Sequence, residues 1–488
     1  MSQINISNLT FAYEGSYDNI FENVSFQIDS DWKLGFTGRN GRGKTTFLNL
    51  LLGRYEYSGK ISANVNFQYF PYNIQNKNVN THLIIEEICP VYQDWELLRE
   101  LSLLAVKEDV LNRPFETLSN GEQTKVMLVA LFLSENSFLL IDEPTNHLDV
   151  AGRKIVSKYL NAKQGFILVS HDRAFLDGCI DHVLSINRAN IEVQRGDFTS
   201  WMANKARNDN YELAENEKLK KEIKRMQKSA REKAEWSNKV EKSKIGSHMY
   251  DRGYVGHKAA KMMQLSKNVE NRQQKAIEEK SKLLKNLEKS DALKVTQLPY
   301  PKSLYLALSD VSISYGEKVV CNHVNFSVER GDRIALQGKN GSGKSSILKL
   351  ICAERISYTG ELSVGSGLQI SYVSQDTSSL SGNLTEYAKQ NNIDESLFKA
   401  ILRKLDFSRI QFEKDMKDFS GGQKKKTLIA KSLCERSHLL IWDEPLNFVD
   451  VLSRMQIEEL LLAYQPTILF VEHDSIFNKK IATKTVKL

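Results

Sequence analysis

The sequence offers little for disulfide, metal-cage or membrane chemistry. Its 488 residues include only five cysteines, at positions 89, 179, 321, 352 and 434, and none is in CxxC spacing. Scattered and odd in number, they argue against a disulfide framework, a structural zinc and an iron–sulfur cluster, and read as small buried hydrophobes. No apolar stretch approaches membrane-spanning length: VMLVALFL at 126–133 and FLLI at 138–141 are separated by SENS. The opening MSQINISNLTFAY lacks a basic segment followed by an apolar run, so no secretory leader is expected and the reading is a cytoplasmic protein. What is present is ordinary globular usage, 41% apolar and 26% charged, over a length suited to about three domains.

The net charge of +7 is unevenly placed. Residues 201–290 hold 23 Lys and Arg against 13 Asp and Glu, whereas the rest of the chain holds 44 against 47. All the basic excess therefore lies in one middle segment, and such a segment attracts polyanions such as nucleic-acid backbones. From Trp201 to Lys244 there is neither Pro nor Gly, and Leu219, Ile223, Met226, Ala230 and Ala234 recur at three-and-four spacing. Met262, Leu265, Val269, Ala276, Leu283 and Leu287 form a second stripe. Two such stripes pair as an antiparallel coiled-coil hairpin, and IGSHMYDRGYVGH at 245–257 supplies the reversal. This tip offers Lys244, His248, Met249, Tyr250, Arg252, Tyr254 and His257, cations interleaved with flat or soft side chains that can stack on RNA bases. Taken alone, the same residues also suit a solvated turn.

Self-comparison reveals a duplication on either side of this segment. GRNGRGKTT at 38–46 recurs as GKNGSGKSS at 338–346, and LSNGEQTK at 118–125 as FSGGQKKK at 419–426. FLLIDEPTNHLD at 138–149 recurs as LLIWDEPLNFVD at 439–450, and ILVSHD at 167–172 as LFVEHD at 469–474. The organisation expected is a first domain at 1–200, a helical linker at 201–298 and a second domain at 299–488. Short apolar runs alternating with helix-length segments predict an α/β fold in each copy, a largely parallel sheet with helices around it and its chemistry at the carboxyl edge.

Both loops satisfy GxxxxGK[ST], through Gly38, Gly41, Gly43, Lys44 and Thr45 and through Gly338, Gly341, Gly343, Lys344 and Ser345. Glycines let successive backbone N–H groups turn around phosphate oxygens, the lysine adds charge at the β- and γ-phosphates, and the hydroxyl can ligate Mg²⁺. Downstream, an apolar strand ends in Asp142-Glu143 and again in Asp443-Glu444. Each aspartate can serve the metal while its neighbouring glutamate polarises water. His171 and His473 follow a further strand and suit a γ-phosphate contact.

Phosphate loop, LSGGQ-like segment, Asp-Glu pair and late histidine, in this order, resemble the ATP-binding cassette superfamily, and LSNGEQ and DEPTNHLD resemble its ABC-F family. The resemblance implies two tandem ABC-type nucleotide-binding domains joined by the hairpin, in a monomer whose cassettes close head to tail around two ATP molecules with Mg²⁺. It assigns Lys44, Thr45, Asp142, Glu143 and His171 with Ser420, Gly421 and Gly422 to one site. Lys344, Ser345, Asp443, Glu444 and His473 with Ser119 and Gly121 make the other. Asn40, Thr46, Asn340 and Ser346 complete the phosphate loops, and Tyr13 and Tyr315 stand where the family stacks an aromatic on adenine. Gln375 matches a metal-contacting glutamine, whereas Tyr72 stands at the matching place in the first copy. Asn120 replaces a signature glycine, and NFVD replaces NHLD. The first site is therefore expected to hold metal less well, and the two sites to hydrolyse at different rates.

The resemblance further implies a bacterial ribosome partner, with the linker entering the tRNA exit site beside large-subunit rRNA and the peptidyl-tRNA. The interval from Tyr72 to Leu118 has no room for the extra arm of housekeeping members, and only 15 residues follow His473. With KLGFTGRNGRGKTTFL, this is similar to the antibiotic-resistance branch, of Lsa type, which displaces lincosamides, streptogramin A and pleuromutilins by ATP-dependent ribosome protection. A housekeeping ABC-F translation factor is the alternative within the class. A tandem ATPase of a membrane importer is the alternative outside it, disfavoured by the basic hairpin, so no transmembrane partner is expected. A DNA-repair ATPase would show zinc cysteines or far longer coiled coils.

Overall fold

The computed structural model describes residues 2–14, 19–134, 136–146, 148–186, 191–242, 297–316 and 318–488. In the first repeat the strands are β1 (Gln3–Phe11), β2 (Phe21–Asp29), β3 (Lys33–Thr37), β4 (Ser58–Ser62), β5 (Asn66–Phe70), β6 (Ser137–Asp142), β7 (Phe166–Val169), β8 (His182–Ile186) and β9 (Ile191–Arg195). They form an antiparallel sheet ordered β2-β1-β4 and a larger sheet ordered β5-β6-β7-β3-β8-β9. The larger sheet is parallel except for the β8–β9 pair.

The second repeat follows the same plan with β10 (Leu304–Tyr315), β11 (Lys318–Glu329), β12 (Arg333–Gln337), β13 (Tyr358–Val364), β14 (Ile370–Val373), β15 (Leu439–Asp443), β16 (Ile468–Val471) and β17 (Lys484–Lys487). An antiparallel sheet ordered β11-β10-β13 accompanies a parallel one ordered β14-β15-β16-β12-β17. The parallel core is as the apolar runs predict. The antiparallel layer is an addition that those runs did not reveal.

The central strands are continuously apolar because both of their faces are covered. Along β15, Leu439 and Ile441 pack with Val311, Ile313 and Val328 of the antiparallel layer. Leu440 and Trp442, pointing the other way, pack with Phe398, Leu402, Ile457 and Leu461 of the helices. The strands β6 and β15 thereby carry Asp142 and Asp443 to the carboxyl edge, where the phosphate loops leave β3 and β12. Between β5 and the first signature lie the helices Thr81–Ile88 and Asp94–Leu103; their counterparts are Leu384–Gln390 and Glu395–Lys404.

The chain divides into one unit of Met1–Trp201 with Ser290–Leu488, which holds both repeats, and a second of Met202–Lys289. The long basic helix runs over Phe198–Lys242, 45 residues, and so starts ahead of the expected boundary at 200/201. Asp197 sets that start by accepting from Ser200 N at 2.8 Å, and buried Phe198 packs against Trp201 with ring centroids 5.3 Å apart. The expected tip residues Lys244, His248, Met249, Tyr250, Arg252, Tyr254 and His257, and the second apolar stripe, lie outside the described residues. No helix among the described residues is long and apolar enough to cross a membrane.

One buried ion pair ties the second repeat together: Lys426 Nζ lies 2.6 Å from Asp450 Oδ2, with the two side chains 4% and 1% exposed. Asp450 also caps its helix by accepting from Ser453 N. Burial works against its charge, but Lys426 outweighs it and holds the carboxyl well below the usual range. Its contribution to stability is therefore complete above the ordinary carboxylate pKa and lost only as pH falls toward the depressed folded value. Asp450→Asn keeps the cap and strands the lysine, so it is expected to destabilise the second repeat by about 3 kcal/mol in urea melts. Asp149→Asn is expected to cost less, because Lys125 is only half-buried and forms no ion pair with it among the described residues.

Candidate functional site

Each phosphate loop ends in a left-handed glycine that starts a helix: Gly43 (φ 93°) before Lys44–Leu51 and Gly343 (φ 87°) before Lys344–Ile351. A side chain at Gly43 would come within 2.6 Å of Ile20 as well as straining the backbone. The helix N–H groups are thus free to meet an anion. Lys44 Nζ donates to Gly38 O at 2.7 Å and Arg39 O at 3.2 Å, and Lys344 Nζ to Gly338 O at 3.0 Å and Lys339 O at 2.8 Å. Burial lowers the pKa of both lysines, against nearby carboxylates that raise it. Tyr13 shares a hydrogen bond with Thr46 Oγ1 at 2.7 Å, and Tyr315 OH donates to Ser346 Oγ at 3.2 Å. Both tyrosines remain partly exposed beside their loops, at 43% and 51%.

The carboxylate pairs stand opposite the lysines. Thr45 Oγ1 donates to Asp142 Oδ2 at 3.2 Å. Asp443 is 1% exposed, and neither of its oxygens has a well-aligned hydrogen bond, although Ser345 lies close enough to favour the charged form. Glu143 (φ 50°) and Glu444 (φ 47°) both hold left-handed backbone, a matched strain at matched positions. His171 Nε2 and His473 Nε2 each lie 3.3 Å from the glutamate of their own cassette.

The glutamates nonetheless differ in charge. Burial, with the neighbouring Asp142, pushes Glu143 up to about 8. Burial works the same way on Glu444, but the His473 hydrogen bond and the charges of Lys425 and Lys344 outweigh it and hold its pKa low. Gln375 Nε2 donates to Glu444 Oε2 at 2.9 Å, which places this residue beside the carboxylates. In the first cassette Tyr72, at the matching sequence position, makes no hydrogen bond to Glu143 among the described residues. Its hydroxyl donates to Glu87 at 3.2 Å, while Tyr69, unremarked in the sequence, donates to Asp142 Oδ2 at 3.0 Å. Strand alternation is the signal that could have found it, because Tyr69 and Tyr372 occupy the same register of β5 and β14.

The two signature segments start helices through capping boxes, Ser119 with Glu122 and Ser420 with Gln423. The second is seated on the first phosphate loop. Asn40 Nδ2 donates to Phe448 O at 2.7 Å, and a Cβ on Gly422 would fall 2.4 Å from that carbonyl and 2.5 Å from the amide. Gly422, Asn40, Lys44 and the first carboxylate pair are therefore gathered in one place. Ser119 and Gly121 are not brought to the second loop by any hydrogen bond among the described residues.

A doubled parallel sheet with a phosphate loop, carboxylate pair and histidine at each carboxyl edge defines a tandem nucleotide-binding protein. The chain belongs to the ABC transporter family, whose profile matches residues 21–146 and 321–447. It is similar to ATP-binding protein Uup of Buchnera aphidicola subsp. Acyrthosiphon pisum, 27% identical over 504 residues, 99% of this chain and 80% of the relative. It is also similar to ribosome protection protein VmlR of Bacillus subtilis, 27% identical over 486 residues, covering 96% and 84%. Among solved structures, the complex of archaeal ribosomal stalk protein aP1 with archaeal ribosome recycling factor aABCE1 shares the fold at TM-score 0.64 and 17% identity, covering 98% of this chain and 87% of that one.

Gly422→Ala is expected to lower ATP turnover at least about tenfold, a cost of about 1.4 kcal/mol, since the added carbon collides with the Phe448 backbone. Gly421→Ala, whose Cβ would meet Phe448 at an ordinary 3.4 Å, is expected to stay within about threefold. Steady-state phosphate release measures both.

Proposed function

We propose that the chain is an ABC-F ATPase that closes around two ATP molecules, binds the bacterial ribosome in the closed state and is released by hydrolysis. The seating of Gly422 against Asn40 carries the reading of an ATP-gated clamp, because it juxtaposes one cassette's signature with the other's phosphate loop. In each site the loop amides and Lys44 or Lys344 hold the β- and γ-phosphates, and Tyr13 or Tyr315 covers the adenine. Glu143 and Glu444 orient water, with His171 and His473 fixing them and meeting the γ-phosphate. Ser420, Gly421 and Gly422 close the first site; Ser119 and Gly121 close the second.

The residues fit a magnesium ion. Asp443 keeps two buried oxygens without aligned partners, and Thr45 faces Asp142 as a hydroxyl–carboxylate pair. No cage of three or more His, Cys, Asp or Glu exists among the described residues, so the phosphates would complete the coordination. Thr45 and Asp142, and Ser345, Asp443 and Gln375, would hold the ion, which when bound offsets phosphate charge.

Ribosome binding and, more finely, protection from peptidyl-transferase antibiotics rest on the similarity to VmlR and on the basic middle segment. In this reading the hairpin tip, Lys244 to His257, meets large-subunit rRNA and peptidyl-tRNA at the exit site. A variant carrying Glu143→Gln and Glu444→Gln is expected to stay with ribosomes through a sucrose cushion in ATP but not in ADP; its absence from the pellet in ATP overturns the proposal. Expression in a susceptible bacterium is expected to raise inhibitory concentrations of lincosamides and pleuromutilins, and unchanged values favour the housekeeping alternative. Of the single variants, Glu444→Gln is expected to remove the larger share of turnover. Burial and the neighbouring Asp142 raise the pKa of Glu143, which favours its protonated form and makes it the poorer base until it ionises.

A further inference from the structure

The two repeats meet through matched positions, yet among the described residues the charged contacts are not repeated at the matched places. Arg39 Nη1 is 3.3 Å from Asp406 Oδ1, and Arg42 Nη2 is 3.6 Å from the same oxygen. Both arginines belong to the first phosphate loop, whereas Asp406 belongs to the second cassette, just after its helix Glu395–Lys404.

The duplication supplies an internal control. Asp406 (φ 69°) is matched by Ala105 (φ 50°), and both close the same turn: Asp406 N donates to Arg403 O at 3.0 Å and Ala105 N to Ser102 O at 2.9 Å. Arg39 and Arg42 are matched by Lys339 and Ser342. Arg39 is buried; Lys339 is exposed and makes no ion pair among the described residues. An alanine facing a lysine and a serine cannot reproduce the contact.

A second interface pair repeats the asymmetry. Arg173 of the first cassette pairs, buried, with Glu458 of the second. Their counterparts are Ser475 and Ser157, which line a cavity of about 370 Å³ that also reaches His473. Ionic cross-links thus join the cassettes at Asp406 and at Glu458, and among the described residues neither is repeated at the matched positions.

We propose that Asp406 is a positioning residue for the first nucleotide site: by drawing Arg39 and Arg42 across the interface it seats the first phosphate loop under the opposite signature, so that nucleotide leaves this site more slowly than the second. Asp406 touches no reacting atom; it acts through the loop. The cassettes accordingly part at the second site first. This rests on the reading of the chain as a two-site ATPase.

The test uses the full chain carrying Glu143→Gln and Glu444→Gln, so that hydrolysis does not intervene, loaded with fluorescent mant-ATP and magnesium. Two nucleotides per chain and a biphasic release are expected, the slow phase abolished by Lys44→Ala and the fast one by Lys344→Ala. Asp406→Asn is expected to speed the slow phase about tenfold and leave the fast phase alone, while Asp406→Glu retains most of the slow rate. Ala105→Asp with Ser342→Arg, which rebuilds the contact on the other side, is expected to slow the fast phase. Fewer than two bound nucleotides overturns the two-site reading itself. Two bound nucleotides whose slow phase Asp406→Asn leaves unchanged, or both phases shifted equally, overturns the positioning role alone. So does a mirrored variant that leaves the fast phase where it was.

Discussion

Each cassette turns on a lysine ammonium that the fold takes out of water and surrounds with neutral oxygens. Lys44 and Lys344 are 8% and 7% exposed, and among the described residues neither has a carboxylate within ion-pair distance. A cation in such a place is costly unless an anion joins it, and the depressed pKa of both lysines is the sign of that cost. The phosphate loop is built to reduce it: the glycine turn aims helix amides at the space before the ammonium, and Asp142 and Asp443 stand beyond. The left-handed backbone of Glu143 and Glu444 belongs to the same economy, since strain of that kind persists only where the surroundings over-determine it.

Two copies of one arrangement have diverged in charge rather than in shape. The signature cap is a carboxylate at Glu122, held ionised by the hydrogen bonds from Ser119, and a neutral amide at Gln423. In the proposed head-to-tail pairing the anionic cap would face the second site and the neutral one the first. A carboxylate near the phosphate-facing end of a helix works against a bound γ-phosphate, so this difference acts in the same direction as the arginine contacts at the first loop. The proposed inequality of the sites therefore draws on several independent substitutions and does not depend on Tyr72, whose hydroxyl donates to Glu87.

Much of this was legible because the chemistry is written in contiguous segments. Loop, strand-end carboxylates and histidine each occupy fewer than a dozen residues, and the parallel strands announce themselves as apolar runs because both of their faces are covered. The antiparallel layer was not legible: β1 and β10 mix buried and exposed positions with register shifts that blur a two-residue period. Nor were the contacts that distinguish the sites. Arg39 and Asp406 are brought together only by the pairing of two domains, and nothing near either residue marks the other. Tyr69 lies three residues ahead of the position that matches Gln375 and outside any motif, although strand alternation turns it toward Asp142.

A single buried lysine links the two contacts that the second cassette makes with the first phosphate loop. Lys426 Nζ donates to Leu405 O at 2.9 Å, beside Asp406, and to Asp450 Oδ2 at 2.6 Å, two residues beyond Phe448. One contact is the Asp406 carboxylate on Arg39 and Arg42, and the other is the Phe448 carbonyl on Asn40. Because Lys426 and Asp450 are nearly without solvent, neither segment can shift without exposing or stranding a charge. The two therefore move together, and a displacement of the signature helix, which carries Lys426, is transmitted to both. In the first cassette Lys125 and Asp149 occupy these positions without forming an ion pair among the described residues, and Ala105 ends the neighbouring turn. Among the described residues the coupling is present on one face, and the proposed tighter seating of the first loop draws on it more than on any difference in the motifs themselves.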